Sequence, residues 1–442
     1  MTETTSSTLS TLNEDQQDAL DNLLTWLNSS DELKPVALLQ GGPGTGKTYL
    51  LQELLRLYKY RAIVTAPTNK ATKVLRQLLT TDSYKPTAMT TFSMLGLSLS
   101  ANGEVKEILA PEEDINLSRY SLIIIDEASM VSTTLLEHIS TAIEDQRIKV
   151  LFVGDNYQLP PVKEARSPVW LYMAKLEEQG LEPLNIHLTR VMRHQGEILQ
   201  AVQQVRSAID SPLLFRLPFL KDASHRVDLN VVNLAEFTRL ITNEAQVLDN
   251  FTSPGRIKII AWRNTTVDSY NKLVRLMLFP DTDEHWNIGD RVTVIAPAKS
   301  AEGKLIASVD EEGTIQRVEK DLWIADLPIK VDAIQVVTDE NKTVVFNVVS
   351  NSCLMEYEKL KAEKLMAAKS NGRYWKNYWA FIESFHYIRH AYAITAHRAQ
   401  GSTYGTVYVH LTDILKNFEK REALQCLNVA MSRASKKLII GK

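Results

Sequence analysis

The stretch Val36–Tyr58, "VALLQGGPGTGKTYLLQELLRLY", determines the fold expected for the first half of the chain. It predicts an apolar strand, a glycine-rich turn and an amphipathic helix in series. Gly41, Gly46, Lys47 and Thr48 satisfy the pattern G-x-x-x-x-G-K-[ST] in that strand–turn–helix context. Glycines allow backbone N–H groups to surround phosphates, and the helix N-terminus adds the positive end of its dipole. We therefore expect a nucleoside triphosphate site, with Lys47 on the β- and γ-phosphates and Thr48 holding Mg²⁺.

Two more apolar segments end in polar residues. "SLIIIDEASM" ends its apolar run at Asp126 and Glu127, which suit a Mg²⁺ ligand and a base that orients the attacking water. "KVLFVGDNYQLPPV" carries Gln158 where an amide would contact a γ-phosphate. A solvated acidic turn and a simple turn after a core strand remain the alternatives. With "AIVTAPTNKAT", these segments predict strands that alternate with helices, and thus a doubly wound parallel sheet.

Bulk properties limit the class of protein. The chain has 442 residues, 44% of them hydrophobic and 23% charged, with a net charge of −3. This length suggests about three domains of ordinary size. No apolar run approaches the roughly 20 residues that span a bilayer. The cysteines Cys353 and Cys426 show no metal or disulfide spacing, which suits a reducing cytosol, so we expect a cytoplasmic protein.

The pattern restarts in the second half. "RIKIIAWRNTTVDSYNKLV" predicts another strand and helix, with Asn264 where the strand ends. The region after Trp286 alternates apolar and polar residues between glycine-containing turns, which is typical of short antiparallel strands. Further on, Tyr374, Trp375, Tyr378 and Trp379 fall on one helical face. Such a stripe stacks on bases at about 1–3 kcal/mol each, or it packs the helix against its neighbour.

The motifs taken in order resemble those of superfamily 1 helicases, specifically the RecD-like and phage Dda-like branch. The resemblance runs from about Leu12 to Ile440. The matching segments are "LNEDQQDAL", "GGPGTGKT", "APTNKAT", "TTFSMLG", "IIIDEASM", "VGDNYQLPPV", "LTRVMRHQGEI", "TAHRAQGST" and "CLNVAMSRASKKL".

This resemblance implies an α/β fold with two RecA-like P-loop domains built on parallel sheets. The first domain would hold a β-hairpin insertion, and the second would hold an SH3-like barrel with a helical, tower-like extension. The expected division is a disordered tail at 1–11, the first domain at 12–94 and 119–188, the hairpin or pin at 95–118, the second domain at 189–283 and 389–442, and the barrel with its helical extension at 284–388. Because the hairpin has no aromatic residue at its turn, Asn102–Gly103, we expect a steric wedge.

The resemblance also implies the nucleotide-binding residues. ATP would lie between the two domains, with Arg193 and Arg433 as arginine fingers on the γ-phosphate. Each arginine taken alone also suits a surface or salt-bridge position. Gln16 would read the adenine. The other expected ATP contacts are Gly42, Pro43, Gly44, Thr45, Gly46, Lys47, Thr48 and Tyr49.

Nucleic acid would contact polar residues at the strand ends of both domains. Short hydroxyls and backbone N–H groups bond phosphate oxygens without reading sequence. The expected contacts are Pro67, Thr68, Asn69, Thr91, Phe92, Asn264, Thr395, His397, Gly401 and Ser402. His397 also suits an ordinary capping or core histidine.

The expected function is an ATP-dependent DNA helicase that translocates 5′ to 3′ on single-stranded DNA, in phage or bacterial replication, recombination or repair. The cofactors would be ATP and Mg²⁺. The partners would be single-stranded DNA, a duplex junction and single-strand-binding or replisome proteins, with no membrane and a monomeric chain. An RNA helicase of the same superfamily and a P-loop ATPase that remodels nucleoprotein without unwinding remain alternatives.

Overall fold

The computed structural model describes residues 12–29, 35–58, 61–80, 85–99, 105–107, 117–143, 148–161, 164–191, 196–212, 228–281, 284–300, 302–324 and 327–442. The chain divides into two compact units. The first comprises Met1–Ser98 and Glu107–Gln195, and the second comprises Leu99–Lys106 and Gly196–Lys442. Among the described residues, no helix combines the length and the apolar character needed to cross a membrane.

The first unit is built on a parallel sheet of six strands in the order β3-β2-β6-β7-β1-β8. Up to residue 191, the strands are β1 Val36–Gly41, β2 Ala62–Ala66, β3 Thr87–Thr90, β4 Leu97–Leu99, β5 Val105–Glu107, β6 Leu122–Ile125, β7 Lys149–Gly154 and β8 Leu184–Leu188. The helices are α1 Glu14–Asn28, α2 Lys47–Leu57, α3 Asn69–Leu79, α4 Thr91–Met94, α5 Thr133–Ile143 and α6 Pro168–Glu178. The doubly wound arrangement expected from the sequence is thus present.

Helices cover both faces of this sheet, which explains why its strands are apolar on both sides. On one face, Leu23 of α1, Leu54 of α2 and Leu75 of α3 share a core with alternate strand residues. On the other face, Ile139 of α5 and Met173 of α6 pack against the remaining strand residues. The sheet therefore presents only its edges and strand ends to other groups.

Strands β4 and β5 pair with each other as a separate two-stranded sheet. They lie within the segment expected to form a hairpin. The expected turn, Asn102–Gly103, lies outside the described residues.

The second unit contains a parallel sheet of five strands in the order β18-β10-β19-β20-β9. Its strands are β9 Leu229–Val232, β10 Ile257–Ala261, β18 Ala393–Thr395, β19 Tyr404–His410 and β20 Ala434–Gly441. Its helices are α7 Glu197–Asp210, α8 Leu234–Ala245, α9 Leu248–Thr252, α10 Asn264–Leu278, α13 Ala396–Ala399, α14 Leu411–Ile414 and α15 Lys420–Met431. The chain thus contains a second parallel α/β sheet with its own helices, as the restart of the sequence pattern predicted.

An antiparallel sheet is inserted between β10 and β18. Its order is β16-β15-β14-β11-β17, and a two-stranded sheet of β12 and β13 accompanies it. The strands are β11 Arg291–Val294, β12 Ala298–Lys299, β13 Leu305–Ala307, β14 Glu312–Leu322, β15 Val331–Thr338, β16 Thr343–Val349 and β17 Ile388–His390. Inward-facing residues such as Ile315, Ile334 and Phe346 form its own core.

Two helices, α11 Leu354–Ser370 and α12 Trp375–Glu383, follow the antiparallel strands. They are held to one end of that sheet by Phe381 and Phe385, which pack around Tyr357. Trp375 contacts the rings of Tyr378 and Trp379, yet it remains 38% exposed. The buried attachment therefore uses the residues beyond the predicted stripe, while part of the stripe stays on the surface.

Candidate nucleotide site and nucleic-acid interface

The polar residues of the first unit gather at one edge of its sheet because parallel strands end on the same side. In the strand order, β1, β7 and β6 are neighbours, so the glycine-rich loop, the residues after Gly154 and the Asp126–Glu127 pair lie side by side. Strands β2 and β3 continue the same edge beyond β6. The glycine-rich loop, the Asp126–Glu127 pair and the loop after Gly154 thus occupy one half of the edge, and the expected nucleic-acid residues of this unit occupy the other half.

The glycine-rich loop connects β1 to α2 through left-handed backbone conformations. Gly44 has φ 79° and Gly46 has φ 82°, values that glycine adopts without strain. The Lys47 ammonium donates hydrogen bonds to the carbonyl oxygens of Gly41 at 2.7 Å and Gly42 at 3.1 Å. This places a cation across the loop, directly before the N-terminus of α2, where phosphate oxygens are favoured.

Gln16, on α1, is hydrogen-bonded to this loop. Its backbone N–H and the Asn13 side chain form a capping box at the start of α1, and its Nε2 donates to the carbonyl oxygen of Thr45 at 3.1 Å. A Cβ atom on Gly46 would lie only 2.2 Å from that Nε2. The side chain expected to read adenine is thus also buried against the phosphate-binding loop, a contact that the sequence pattern did not reveal.

Asp126 and Glu127 end β6 in an unusual conformation. Glu127 has φ 51° and ψ 43°, a left-handed backbone that costs a non-glycine residue of order 1–3 kcal/mol and is typical of functional sites. Its N–H donates to the Asp126 carboxylate at 2.8 Å. Burial and, to a smaller extent, the nearby Glu127 carboxylate raise the pKa of Asp126 to about 7, while the Glu127 N–H and Lys47 oppose the shift.

The side chains of Thr48 and Asp126 fit a Mg²⁺ ion. Thr48 offers a hydroxyl and Asp126 a carboxylate, which are the oxygen ligands that Mg²⁺ prefers. A cation beside Asp126 would stabilise the charged form that burial disfavours. When bound, Mg²⁺ neutralises charge on the β- and γ-phosphates.

Gly154 brings the Gln158 loop against the Asp126–Glu127 turn. A Cβ atom on Gly154 would lie 3.1 Å from both the backbone N and the Cβ of Ala128. Beyond it, the backbone N–H of Gln158 donates to the carbonyl oxygen of Asp155 at 3.0 Å, and both side chains are buried. The loop that carries Gln158 therefore begins against the turn that holds Asp126 and Glu127.

The other half of the edge presents the ends of β2 and β3. Thr68 caps α3 by accepting from the N–H of Ala71 at 3.2 Å, Asn69 is exposed and Pro67 is buried. Thr91 is fully buried, and its hydroxyl donates to that of Thr65 at 3.2 Å. The side chain of Thr91 thus joins the start of α4 to β2.

Phe92 and Ser93 divide the surface of the short helix α4. Phe92 is half-buried and packs against the core of the first unit. Ser93 is exposed, and its N–H donates to the hydroxyl oxygen of Thr90, the N-cap residue, at 3.0 Å. On α4, the exposed polar side chain is therefore that of Ser93, which follows the expected nucleic-acid contacts Thr91 and Phe92 in the chain.

In the second unit, Asn264 begins α10 at the end of β10. The loop before it is organised by Asp413, a fully buried residue that sequence analysis missed. The Asp413 carboxylate accepts hydrogen bonds from the backbone N–H groups of Trp262 and Arg263, from Arg263 Nε and from the hydroxyl of Thr266, at 2.7 to 2.9 Å. Burial alone would raise the pKa of Asp413, but these hydrogen bonds outweigh burial and lower it.

The segment Thr395–Ser402 joins β18 to β19. Thr395 caps α13 by accepting from the N–H of Arg398 at 3.4 Å, and Gly401 turns the chain with φ 76°. His397 Nε2 lies 3.5 Å from a carboxylate oxygen of Glu422, and burial lowers the pKa of this histidine despite that partner. His397 thus joins α13 to α15, while Gly401 and Ser402 remain partly exposed.

Of the two expected arginine fingers, only Arg433 lies within the described residues. Its side chain is 6% exposed and donates hydrogen bonds to the carbonyl oxygens of Val429 at 3.0 Å and Ser402 at 3.1 Å. Arg193 lies outside the described residues.

Comparisons with known proteins agree with this geometry. Residues 11–213 match the AAA domain family, and residues 390–440 match the UvrD-like helicase C-terminal domain. The chain is 25% identical to the uncharacterized protein R530 of Acanthamoeba polyphaga mimivirus, over 96% of this chain and 99% of that protein. It is 21% identical to the ATP-dependent DNA helicase dda of Enterobacteria phage T4, over 96% of this chain and 98% of that protein. A match to RecBCD enzyme subunit RecD of Buchnera aphidicola is 29% identical, over 36% of this chain and 27% of that protein.

The fold is similar to that of solved Pif1 helicases. A Pif1 structure described for DNA unwinding at forked double-stranded DNA has a TM-score of 0.56 and 17% identity, over 98% of this chain and 92% of that one. Pif1 from Bacteroides, in complex with ADP-AlF3 and single-stranded DNA, has a TM-score of 0.54 and 16% identity, over 98% and 92% of the two chains. These likenesses show a shared two-domain α/β fold. Together the family matches and relatives support an ATP-hydrolysing helicase that is similar to those of superfamily 1, in the branch that contains RecD, Pif1 and Dda.

Proposed function

We propose that this protein is a DNA helicase that uses ATP hydrolysis to translocate 5′ to 3′ on single-stranded DNA and to unwind duplex DNA. The observation that carries the proposal is the shared sheet edge of the first unit. There, a phosphate-binding loop and an acidic pair lie beside two strand ends that present hydroxyl and amide groups. The near full-length similarity to a phage DNA helicase supports DNA as the substrate, and the 5′-to-3′ direction follows from the resemblance to that branch.

For hydrolysis, the proposed roles follow the positions of the side chains. Lys47 binds the β- and γ-phosphates, with backbone N–H groups of the loop from Gly42 to Tyr49 around them. Thr48 and Asp126 hold Mg²⁺, Glu127 orients the attacking water and Gln158 contacts the γ-phosphate.

Three more residues complete the proposed ATP contacts. Arg193 and Arg433 stabilise charge on the γ-phosphate, an effect worth roughly 10³–10⁵ in rate for arginine fingers. Gln16 contacts the adenine while it supports the loop through Thr45.

The nucleic-acid strand would contact both units through backbone phosphates. In the first unit we propose Thr68 and Asn69, the backbone at Pro67, and the start of α4. Because the Thr91 hydroxyl is bonded inside the unit and Phe92 is half-buried, contacts at α4 would come from their backbone and from Ser93. In the second unit we propose Asn264, Thr395, His397, Gly401 and Ser402.

The inserted elements have proposed roles of their own. We propose that β4 and β5 belong to a pin at 95–118 that separates strands sterically, and that the antiparallel sheet within 284–388 is an SH3-like barrel with a helical extension. The RecA-like domains would then be 12–94 with 119–188, and 189–283 with 389–442. Together these form a monomeric motor for phage or bacterial DNA replication, recombination or repair, acting at a duplex junction alongside single-strand-binding or replisome proteins.

Strand separation on tailed duplexes tests this proposal. The protein would be mixed with DNA and RNA duplexes that carry a 5′ or a 3′ single-stranded tail, with and without ATP and Mg²⁺. We expect ATP-dependent unwinding of the DNA duplex with the 5′ tail. Unwinding only from 3′ tails would refute the direction, preference for RNA would indicate an RNA helicase, and stimulated ATP hydrolysis without unwinding would indicate a remodelling ATPase.

A further inference from the structure

Three side chains of types that bind metals meet where α13 lies beside α15. His397 comes from α13, and Glu422 and Cys426 come from α15, where a spacing of four residues places them on one face of the helix. A ring nitrogen of the histidine, a carboxylate oxygen and the cysteine Sγ all lie within 4.8 Å of one another. Within the described ranges of the chain, no other three or more His, Cys, Asp or Glu side chains bring their ligand atoms together in this way.

The distances suit a tetrahedral zinc ion. Zinc binds imidazole nitrogen and carboxylate oxygen at about 2.0–2.2 Å and thiolate sulfur at about 2.3 Å, so tetrahedral ligand atoms lie about 3.3–3.7 Å apart. His397 Nε2 and a Glu422 carboxylate oxygen are 3.5 Å apart, within that range but long for a charge-assisted hydrogen bond. The other separations, at most 4.8 Å, exceed the range by about 1 Å or less. Small rotations of the two partly exposed side chains close that gap.

The cluster has a buried floor and an open rim. Cys426 is fully buried, whereas the side chains of His397 and Glu422 are 35% and 38% exposed, so an ion can enter from solvent and keep a water ligand. The neighbouring guanidinium groups interact elsewhere. Arg421 donates to a carbonyl oxygen near the end of α7 at 3.0 Å, and Arg398 Nη1 lies 3.5 Å from a carboxylate oxygen on the antiparallel insertion. The carboxylate and sulfur lone pairs of the cluster are therefore left for a metal ion.

We propose that His397, Glu422 and Cys426 form a zinc site, with water as the fourth ligand. Sulfur and imidazole nitrogen favour zinc, whereas Mg²⁺ and Ca²⁺ prefer oxygen ligands alone. The cysteine binds as a thiolate and releases its proton to solvent. The ion links α13 to α15 within the second unit and depends on neither ATP nor nucleic acid. It also occupies the histidine Nε2, which leaves the strand contacts of this segment to its other proposed residues.

Zinc affinity, measured by competition with a chromogenic chelator, tests the site. Excess Mg²⁺ is included to occupy the oxygen ligands of Thr48 and Asp126. We expect one zinc ion per chain. Loss of a group that merely orients a metal ligand costs about 10–100-fold in affinity, so Cys426→Ser and His397→Ala, which each remove a ligand, should weaken binding about 100-fold or more.

Cys353→Ser is the matched control, because Cys353 is the other of the two cysteines in the chain and lies at the start of α11. It should bind zinc as the wild type does. Equal affinities for Cys353→Ser and Cys426→Ser, or wild-type binding that the chelator abolishes even at a stoichiometric concentration, would overturn the site and leave a simple pair of His397 with Glu422 above a core cysteine.

X-ray absorption at the zinc edge of the unmodified protein provides a second measurement, which does not depend on whether the variants fold. We expect one sulfur ligand at about 2.3 Å, with nitrogen and oxygen ligands at about 2.0–2.2 Å. The same sulfur ligand in Cys353→Ser would assign it to Cys426. A zinc shell of nitrogen and oxygen alone, or loss of the sulfur ligand in Cys353→Ser, would overturn the proposal.

Discussion

Substitution of Gly46 by alanine tests whether Gln16 supports the phosphate-binding loop. Gly46 has φ 82°, and a left-handed backbone costs an alanine about 1–2 kcal/mol. The new Cβ would also lie 2.2 Å from Gln16 Nε2 and would displace it from the Thr45 carbonyl. Loss of that hydrogen bond adds about 1 kcal/mol. We therefore expect Gly46→Ala to lower the free energy of unfolding by about 2–3 kcal/mol in total.

Gly180→Ala is the matched control, because Gly180 has φ 80° but no atom within 4 Å of an added Cβ. It should lose only the backbone contribution, about 1–2 kcal/mol. Urea unfolding of both variants and of the wild type gives the difference directly. Repeating Gly46→Ala in a Gln16→Ala background isolates the contact, since the cost should then fall to the Gly180→Ala value. Equal costs for Gly46→Ala and Gly180→Ala in the native background would refute the reasoning.

The other predictions concern Lys47, Arg433 and Asp413. Lys47→Ala should abolish ATP hydrolysis and leave oligo-dT binding largely intact, because the ammonium lies on the loop carbonyls and away from the expected strand contacts. A loss of oligo-dT affinity in the same variant would contradict the prediction that hydrolysis and strand binding use different residues. Arg433→Ala should lower the turnover number by roughly 10³ or more with a modest change in ATP affinity, as for other arginine fingers; normal steady-state hydrolysis would remove this assignment. Asp413→Asn should destabilise the second unit by about 1–3 kcal/mol, because it weakens buried hydrogen bonds to a charged acceptor while the exposed Arg263 side chain stays solvated, and it should weaken strand binding through Asn264. Because the pKa of Asp413 is lowered, the stability that this carboxylate contributes is present above about pH 4 and is lost only as pH falls through the lower folded-state pKa. The difference in unfolding free energy between wild type and Asp413→Asn, measured in urea, should thus stay constant between about pH 5 and pH 8. A difference that shrinks towards about pH 5 would contradict the assignment.

The sequence predicted those features that local pattern determines. The strand, glycine turn and helix at Val36–Tyr58 form as expected, since a continuous apolar run and a helix N-terminus are both local properties. The restart of the pattern after Thr189 likewise predicted the second parallel sheet, and the alternation after Trp286 predicted the antiparallel strands.

Contacts between distant segments could not be predicted in the same way. Asp413 is a single acidic residue in "HLTDILK", and its importance arises from groups about 150 positions earlier in the chain. Thr91 was selected as a polar residue at a strand end, but its hydroxyl donates to that of the buried Thr65 and therefore points into the first unit. The contact between Gln16 and Gly46 depends on how α1 packs beside α2, which no motif encodes.

Displacement of streptavidin from biotinylated single strands tests the central claim most directly, because it measures directional movement on DNA without a duplex. The protein, ATP and Mg²⁺ would be added to oligonucleotides that carry streptavidin at the 3′ or the 5′ end, with Lys47→Ala as the inactive control. A motor that moves 5′ to 3′ displaces streptavidin from the 3′ end, only with ATP, and Lys47→Ala displaces none. Displacement from the 5′ end alone, or no displacement while ATP is hydrolysed, would contradict the account.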